Sequence, residues 1–380
     1  MTTDTGFEIF LAAPPGLEDV LCDEVRGKGF RRPRPVPGGV VFQGGWPEVW
    51  RANLWLRGAG RVLARIAAFR AVHLAQLDDR ARRVPWADIL RPDVPFRVEA
   101  SCAGSRIYHS GAAAERIATA IRETLGAPES PEAEILVRAR LENDTCTLSV
   151  DTSGAPLHKR GYKEAVNAAP IRETMASLFL RRCGYDGTAP LLDPMCGSGT
   201  FVLEAAEIVA RLNPGRNRAF AFEKLATFDA EAWARLRAVV RSERPQAVLC
   251  HGSDRDAGAI AMSRANAERA GLAARTVFRQ ATISEVRPPE GTPQGMPQGI
   301  PGLVIVNPPY GTRLGEREKL LPLYRALGQV LAAHFSGWRV GLVAAEPRLA
   351  HATGLPFLPT DPPVPHGGLR VTLYRTAPLP

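Results

Sequence analysis

Leu191-Leu192-Asp193-Pro194-Met195-Cys196-Gly197-Ser198-Gly199-Thr200 is the stretch on which the reading of this chain turns. A short apolar run ends in an aspartate, bends through two glycines and meets a helical pattern over 199–211. Gly197 and Gly199 permit close backbone approach and dihedral angles that other residues avoid. A helix beginning near Thr200 offers free N–H groups to a carboxylate, and Asp193 is placed to receive an ammonium. Carboxylate and ammonium together describe the methionine end of S-adenosyl-L-methionine. Dinucleotide sites share such a turn, but the spacing here is Gly-x-Gly-x and lacks their third glycine.

Outward from this turn, strands and helices alternate. Candidate strands are 189–193, 247–252, 275–280, 302–306, 339–345 and 369–375, and candidate helices 171–183, 199–211, 229–243, 256–271 and 317–335. That rhythm predicts an α/β, Rossmann-like, doubly wound sheet, in which ligands bind beyond the carboxyl ends of the strands at the topological switch point. The strand after the glycine turn ends at His251-Gly252-Ser253-Asp254-Arg255-Asp256. An acidic residue there serves the two ribose hydroxyls. Asp254 is the candidate, with Arg255 over the adenine and Asp256 capping the helix that follows. The third strand leads to Thr282, a candidate for the contact to the adenine amine.

The fourth strand, Gly302-Leu303-Val304-Ile305-Val306, runs into Asn307-Pro308-Pro309-Tyr310. An exocyclic amine of a nucleobase is a poor nucleophile because its lone pair is delocalised into the ring. Two acceptors that grip its hydrogens localise that pair and aim it at a methyl group. The Asn307 side-chain oxygen and the Pro308 carbonyl supply them, and the two prolines stiffen the turn. Tyr310 offers a face on which the base stacks, and a base inside a duplex would have to be flipped out. The two motifs together point to methyl transfer onto a nucleobase, with adenine and guanine both open at this stage.

Composition bounds the rest. The 380 residues are 45% apolar and 23% charged, as in a globular protein of two or three domains. No apolar stretch approaches the ~20 residues that span a bilayer, and the N-terminus lacks a secretory pattern. Six scattered cysteines with no Cys-x-x-Cys pair, and seven histidines in no ligand-spaced cluster, predict reduced thiols, no metal and a cytoplasmic location. The net charge of +9 favours a polyanionic partner. It is unevenly spread: residues 1–160 hold 22 basic and 20 acidic residues, the remainder 26 and 19. Bulk electrostatics therefore does not single out the front half. Only five of the 48 basic residues are lysine, a bias that GC-rich coding accounts for. The cluster Arg26, Lys28, Arg31, Arg32 and Arg34 is a local candidate for phosphate contacts.

The first ~155 residues read as small α+β modules, with a hairpin expected around Asn143-Asp144. Residues 286–302 form a Pro/Gly near-repeat that reads as an inserted loop.

Beyond these readings, the chain resembles the THUMP-domain RNA guanine-N2 methyltransferases. The resemblance rests on the 193–200 and 307–311 motifs, on Leu157-His158-Lys159-Arg160-Gly161-Tyr162 as a junction, and on Ala169-Pro170-Ile171-Arg172-Glu173-Thr174-Met175-Ala176 as a helix closing the methionine pocket. Arg313-Leu314-Gly315-Glu316 extends the substrate motif, and Leu11 to Glu18 and Phe96 to His109 resemble the front modules. It implies a ferredoxin-like module over 1–58, a THUMP RNA-binding domain over 59–155, a linker over 156–168 and a Rossmann-like methyltransferase domain over 169–380. It implies cofactor contacts from Thr174, Asp193, Gly197, Ser198, Gly199, Thr200, Asp254, Arg255, Thr282 and Asn307, and catalytic roles for Asn307, Pro308 and Tyr310. Asn213 to Lys224 and Trp233 are similar to an insertion of the bacterial large-subunit branch. The implied partner is thus RNA, 23S ribosomal RNA before tRNA, acted on by a monomer or weak dimer.

Overall fold

Two seven-stranded sheets organise the chain. A computed structural model describes residues 6–163, 171–239, 249–289, 302–310 and 314–380, without the side chains of 314–317. The chain divides into two compact units. The first comprises Met1–Ala13, Leu21–Leu157 and Gly215–Val240, and the second Pro14–Val20, His158–Pro214 and Arg241–Pro380.

The first sheet contains β1 (Phe7–Ala12), β2 (Arg34–Val36), β3 (Gly39–Gly44), β4 (Val62–Arg70), β5 (Phe96–Ala103), β6 (Ile135–Glu142) and β7 (Thr145–Asp151), in the order β2-β3-β1-β4-β7-β6-β5. Between them in sequence lie α1 (Glu18–Gly27), α2 (Trp46–Trp55), α3 (Leu74–Arg82) and α4 (Ser110–Leu125). The nine-residue β4 is long enough to pair with β1 over Val62–Arg65 and with β7 over Leu63–Arg70, with a bulge between Arg65 and Ala67. The α+β modules expected from the sequence therefore share one continuous sheet. The expected hairpin is β6–β7. Its two turn residues, Asn143 and Asp144, have φ of 50° and 65°, the left-handed pair that a tight hairpin turn requires.

Residues 215–240 fold in this first unit, although the sequence rhythm places their helix among those of the second sheet. The reason is aromatic packing. Phe222 lies 5.0 Å from Trp233 of α7 (Ala230–Ala238), edge to face, and 6.1 Å from Trp50 of α2. Phe220 stacks on Phe222 at 5.3 Å. Each such ring removes a large apolar area from water, which outweighs the helical spacing as a guide to where the segment goes. Gly215 is where this excursion crosses α2, its N–H donating to the Leu54 carbonyl at 3.1 Å.

The second sheet contains β8 (Leu191–Asp193), β9 (Cys250–Asp254), β10 (Thr276–Gln280), β11 (Leu303–Val306), β12 (Arg339–Ala344), β13 (Val364–His366) and β14 (Leu369–Arg375). Its helices are α5 (Glu173–Arg182), α6 (Thr200–Val209), α8 (Ala257–Arg269), α9 (Leu314–His334) and α10 (Pro347–His351). The order β10-β9-β8-β11-β12-β14-β13 is parallel through β12 and antiparallel at β14. All four residues of β11 are buried, as a central strand covered on both faces must be. Val304, Val306, Tyr324, Leu327, Leu331 and Phe335 pack as its core. The direction of strand order reverses between β8 and β11. Most of the Pro/Gly loop (290–301) and residues 311–313 lie outside the described residues. Among the described residues, no helix is long and apolar enough to cross a membrane.

A methyl group on Gly215 would lie 2.7 Å from the Phe220 ring and 2.8 Å from the Asn53 carbonyl. Gly215→Ala is expected to cost about 1–3 kcal/mol, measured by denaturant unfolding, and to speed proteolysis within 215–240.

Candidate active site

Register brings the expected site residues to one edge. Leu192 pairs with Val304, so Ile305 is level with Asp193, and Gly252 pairs directly with Asp193. Asn307 and Asp254 thus both lie two residues beyond the level of Asp193, on the strands that flank β8. Three neighbouring parallel strands deliver an aspartate, an aspartate and an asparagine at the switch point, where open α/β sheets bind ligands.

The turn after β8 is built from both sides. Gly197 and Gly199 have φ of 53° and 82°. Asp254 accepts the Gly197 N–H through Oδ2 and the Asp256 N–H through Oδ1, both at 3.0 Å. Each of its oxygens keeps a second lone pair, as a pair of ribose hydroxyls requires. From α8, Ser263 Oγ donates to the Gly197 carbonyl at 2.8 Å and Asn266 Nδ2 to the Ser198 carbonyl at 3.1 Å. A methyl group on Gly199 would stand 3.0 Å from Ser263 Oγ, and its left-handed backbone would be strained besides. Ser253 Oγ, beside Asp254, is buried without a hydrogen-bond partner. A buried donor-acceptor without a partner, a glycine cradle and two carboxylates fit an amino-acid-bearing nucleoside.

Asp193 is 2% exposed, and its Oδ1 accepts the Met195 N–H at 3.0 Å. Burial pushes its carboxyl up to about 8, against the lowering effect of that N–H, and the Asp254 charge adds to the rise. A carboxylate so poorly compensated is completed by a cation.

At the β11 end the Tyr310 hydroxyl donates to Asn307 Oδ1. Burial, with a smaller contribution from Tyr324, raises the Tyr310 phenol, so it stays a donor. The Tyr324 hydroxyl in turn donates to the Pro309 carbonyl at 3.2 Å and fixes the turn. Pro308 is buried. The Asn307 oxygen thus already accepts one hydrogen bond, from the ring expected to stack on the base, and keeps a second lone pair.

The remaining expected residues differ in placement. Thr174 and Thr200 are buried in the first turns of α5 and α6. Arg255 and Thr282 are exposed. The Thr282 side chain is spent on Glu285 Oε2 at 2.7 Å, opening a short 3-10 turn. Asp256 caps α8 through the Gly258 N–H at 2.8 Å, as expected. Ala169, Pro170, Gly311 and Arg313 lie outside the described residues, as do the side chains of Leu314 and Glu316.

The family model of the RMKL-like methyltransferase domain matches residues 160–356, more than half the chain. The chain belongs to this family. Models of an RlmL ferredoxin-like domain and of a THUMP domain match residues 8–63 and 71–151. Ribosomal RNA large subunit methyltransferase K/L of Syntrophotalea carbinolica is 37% identical over 93% of this chain and 51% of its own length. The chain spans about half the length of the K/L relatives it matches. A crystal structure from Listeria monocytogenes, described as a predicted N6-adenine-specific DNA methylase, is 30% identical with a TM-score of 0.86, covering 97% of this chain and 96% of its own. SMU.472, a methyltransferase solved with S-adenosylhomocysteine, is 26% identical with a TM-score of 0.86, each chain covered to 99%.

Within this member of the family, sequence reasoning missed a buried polar group beneath the glycine turn. Lys163 Nζ donates to Thr200 Oγ1 at 2.6 Å and pairs with Glu173 Oε1 at 3.0 Å. Both charged side chains are nearly inaccessible. Arg160 of the junction is likewise buried against Glu204 of α6 at 3.0 Å. Charged residues at buried helical positions are the one sequence signal that could have flagged these pairs. Ser263 and Asn266, three apart on one helix face, carried a similar signal.

The Asp193 carboxyl sets two pH dependences. Its folded value lies above the ordinary 3.8, so its contribution to stability is full below about pH 4 and lost as pH rises through about 8. Asp193→Asn should therefore raise the melting temperature of the ligand-free protein by a margin that widens up to about pH 8. A ligand ammonium needs the charged form, so S-adenosylhomocysteine affinity should rise about tenfold per pH unit up to about pH 8 and then level. The Asn variant should bind weakly with that slope gone; titration calorimetry across pH checks it.

Proposed function

We propose that this chain transfers a methyl group from S-adenosyl-L-methionine to the exocyclic N2 amine of a guanine in RNA, with 23S ribosomal RNA as the substrate. The convergence of Asp193, Asp254 and Asn307 at three adjacent strand ends carries the proposal. Asp193 holds the ammonium, the backbone opening α6 faces the carboxylate, and Asp254 takes the ribose. The sulfonium supplies an already activated methyl group. The work left to the protein is to desolvate and aim the amine. Asn307 Oδ1 and the Pro308 carbonyl accept its two hydrogens, and Tyr310 stacks on the base. The amine held by Asn307 and Pro308 would take up the methyl group that bound S-adenosylmethionine supplies and give its surplus proton to solvent.

The ferredoxin-like and THUMP modules support RNA over DNA, and the names of the K/L relatives support the ribosomal large subunit. Residues 215–240 fold among those modules, which fits a segment used in substrate selection. On this reading the linear division at 1–58, 59–155, 156–168 and 169–380 is crossed twice, by 14–20 and by 215–240, and the site of action is the cytoplasm. N6-adenine methylation is the second reading, favoured by the description of the Listeria structure, because the asparagine turn serves either amine.

Incubation with labelled S-adenosylmethionine and separate pools of unmodified ribosomal RNA and tRNA, followed by nucleoside analysis, separates these readings. Label is expected in N2-methylguanosine from 23S RNA. Label in N6-methyladenosine would overturn the base, and label from tRNA alone would overturn the RNA. Asn307→Ala should lower turnover about 100-fold or more while lowering S-adenosylhomocysteine affinity far less, since Asp193 and Asp254 remain to hold it. Tyr310→Phe should keep turnover, since it removes the competing hydroxyl and leaves the ring.

A further inference from the structure

At one end of the first sheet, Arg70 of β4, Thr145 of β7, Glu142 of β6 and Ala103 of β5 lie in a single row of paired residues. The segment after β5 and the β6–β7 turn meet just beyond it. Asp144 Oδ1 accepts the Arg106 N–H at 2.9 Å, and the Asp144 N–H donates to Ser105 Oγ at 3.0 Å. The Ala71 N–H donates to the Asp144 carbonyl at 2.8 Å, and the Asn143 N–H to the Ala103 carbonyl at 3.2 Å. Ile107 is buried between two outward neighbours. This loop is therefore fixed, and what it holds outward is held there by construction.

Tyr108 is 84% exposed, well above the other large apolar side chains seen at the surface, among which Val239 at 51% comes next. Arg106 and Arg70 are about 70% exposed. Their guanidinium groups stand 3.7 and 3.8 Å from Asp144 Oδ2, beyond hydrogen-bond distance, so the carboxylate gathers them without tying up their donors. Glu142, the other acid of this end, is engaged by Arg140 at 2.9 Å. A rigidly presented aromatic face beside two arginines has the chemistry of a single-strand platform, where a base stacks on the ring and cations meet the flanking phosphates. A protein partner would more ordinarily offer Tyr108 apolar neighbours to extend the contact. Here the adjoining exposed residues are Arg106 and His109.

We propose that Tyr108, Arg106 and Arg70 form a docking point for an unpaired RNA nucleotide, separate from the methyl-transfer site. The base stacks on Tyr108, and Arg106 and Arg70 contact the adjoining phosphates. The docking point rests on the RNA reading above and gives the first unit a defined contact with its substrate: single-stranded RNA, read by stacking with little regard to base identity.

The test uses the full chain with a fluorescent single-stranded oligoadenylate and a fluorescent RNA duplex of the same length, followed by anisotropy across salt. Tyr108→Ala should weaken single-strand binding about 5- to 100-fold, Tyr108→Phe should not, and duplex binding should be spared. Arg106→Gln and Arg70→Gln should each lower the salt slope for the single strand by roughly 0.7. Single-strand binding by Tyr108→Ala equal to the parent would overturn the proposal, as would equal losses for strand and duplex. Circular dichroism and an unchanged unfolding midpoint for each variant report intact folding of the first unit. If the parent methylates RNA and Tyr108→Ala binds as the parent does, only the docking point fails. If Tyr108-dependent binding holds and no RNA is methylated, only the methyltransferase reading fails.

Discussion

A carboxylate kept almost out of water at the end of a strand is the constraint around which the second unit is arranged. Asp193 has the Met195 N–H as a partner and a second negative charge, Asp254, nearby. Burying a charge on those terms is costly, and the surrounding structure exists to hold it there. Gly252 must be glycine because a methyl group would stand 2.8 Å from Phe278 and 3.1 Å from Cys196. Its absence lets β9 lie against the turn closely enough for Asp254 to reach the Gly197 N–H. Ser263 and Asn266 then fix the turn's carbonyls from the far side. The N–H groups of Met195, Cys196, Gly197 and Gly199 are themselves bonded within the protein, so the turn is held from every side around Asp193. Stability is given up at the point where binding recovers it, the usual relation between strain and function at an active site.

The first unit solves a different problem. Its arginines are mostly engaged in pairs along the sheet and helices: Arg34 and Arg65 with Glu8, Arg61 with Asp151, Arg82 with Asp78, Arg138 with Glu99. Such partly exposed pairs are each worth about 0–1 kcal/mol, so they stabilise little, but they do cancel the unit's field. The front residues also carry little net charge by composition, 22 basic against 20 acidic. Affinity for a polyanion there must come from local geometry, meaning fixed loops and a stacking face, and less from the sum of charge.

How far the sequence could be read follows from the range of each interaction. The glycine turn, Asp254 and the asparagine turn were legible because their chemistry is local. Each is a strand end and the few residues beyond it, and the parallel rhythm alone puts strand ends on one edge. The Asn143-Asp144 hairpin was legible for the same reason. The joined sheet was not, because nothing within β4 says that it has partners on both sides. Nor was the destination of residues 215–240. Their helix has ordinary helical spacing, and only the rings it meets, Trp50, Phe220 and Phe222, decide where it packs. Lys163 with Glu173 and Thr200 was invisible because its partners are distant in sequence and a lone lysine ordinarily reads as surface. The Thr282 hydroxyl donates to Glu285 within its own turn, a local partner that the spacing of the third strand does not reveal.

The pairing of Tyr310 with Asn307 bears on selectivity under the proposed assignment. Asn307 Oδ1 already accepts one hydrogen bond, from a phenol that burial keeps protonated and that cannot stack on a base while it stays there. Breaking that bond without replacing it leaves a half-buried group unpaired, at a cost of about 1–3 kcal/mol. Only a base edge that offers donors restores the balance. An exocyclic amine offers two, one for Asn307 and one for the Pro308 carbonyl, whereas a carbonyl edge offers none and leaves the tyrosine where it is. The exchange therefore discriminates before any methyl group moves. A ring freed from Asn307 is also a ring free to stack, so the same displacement that admits the amine completes the face that holds its base.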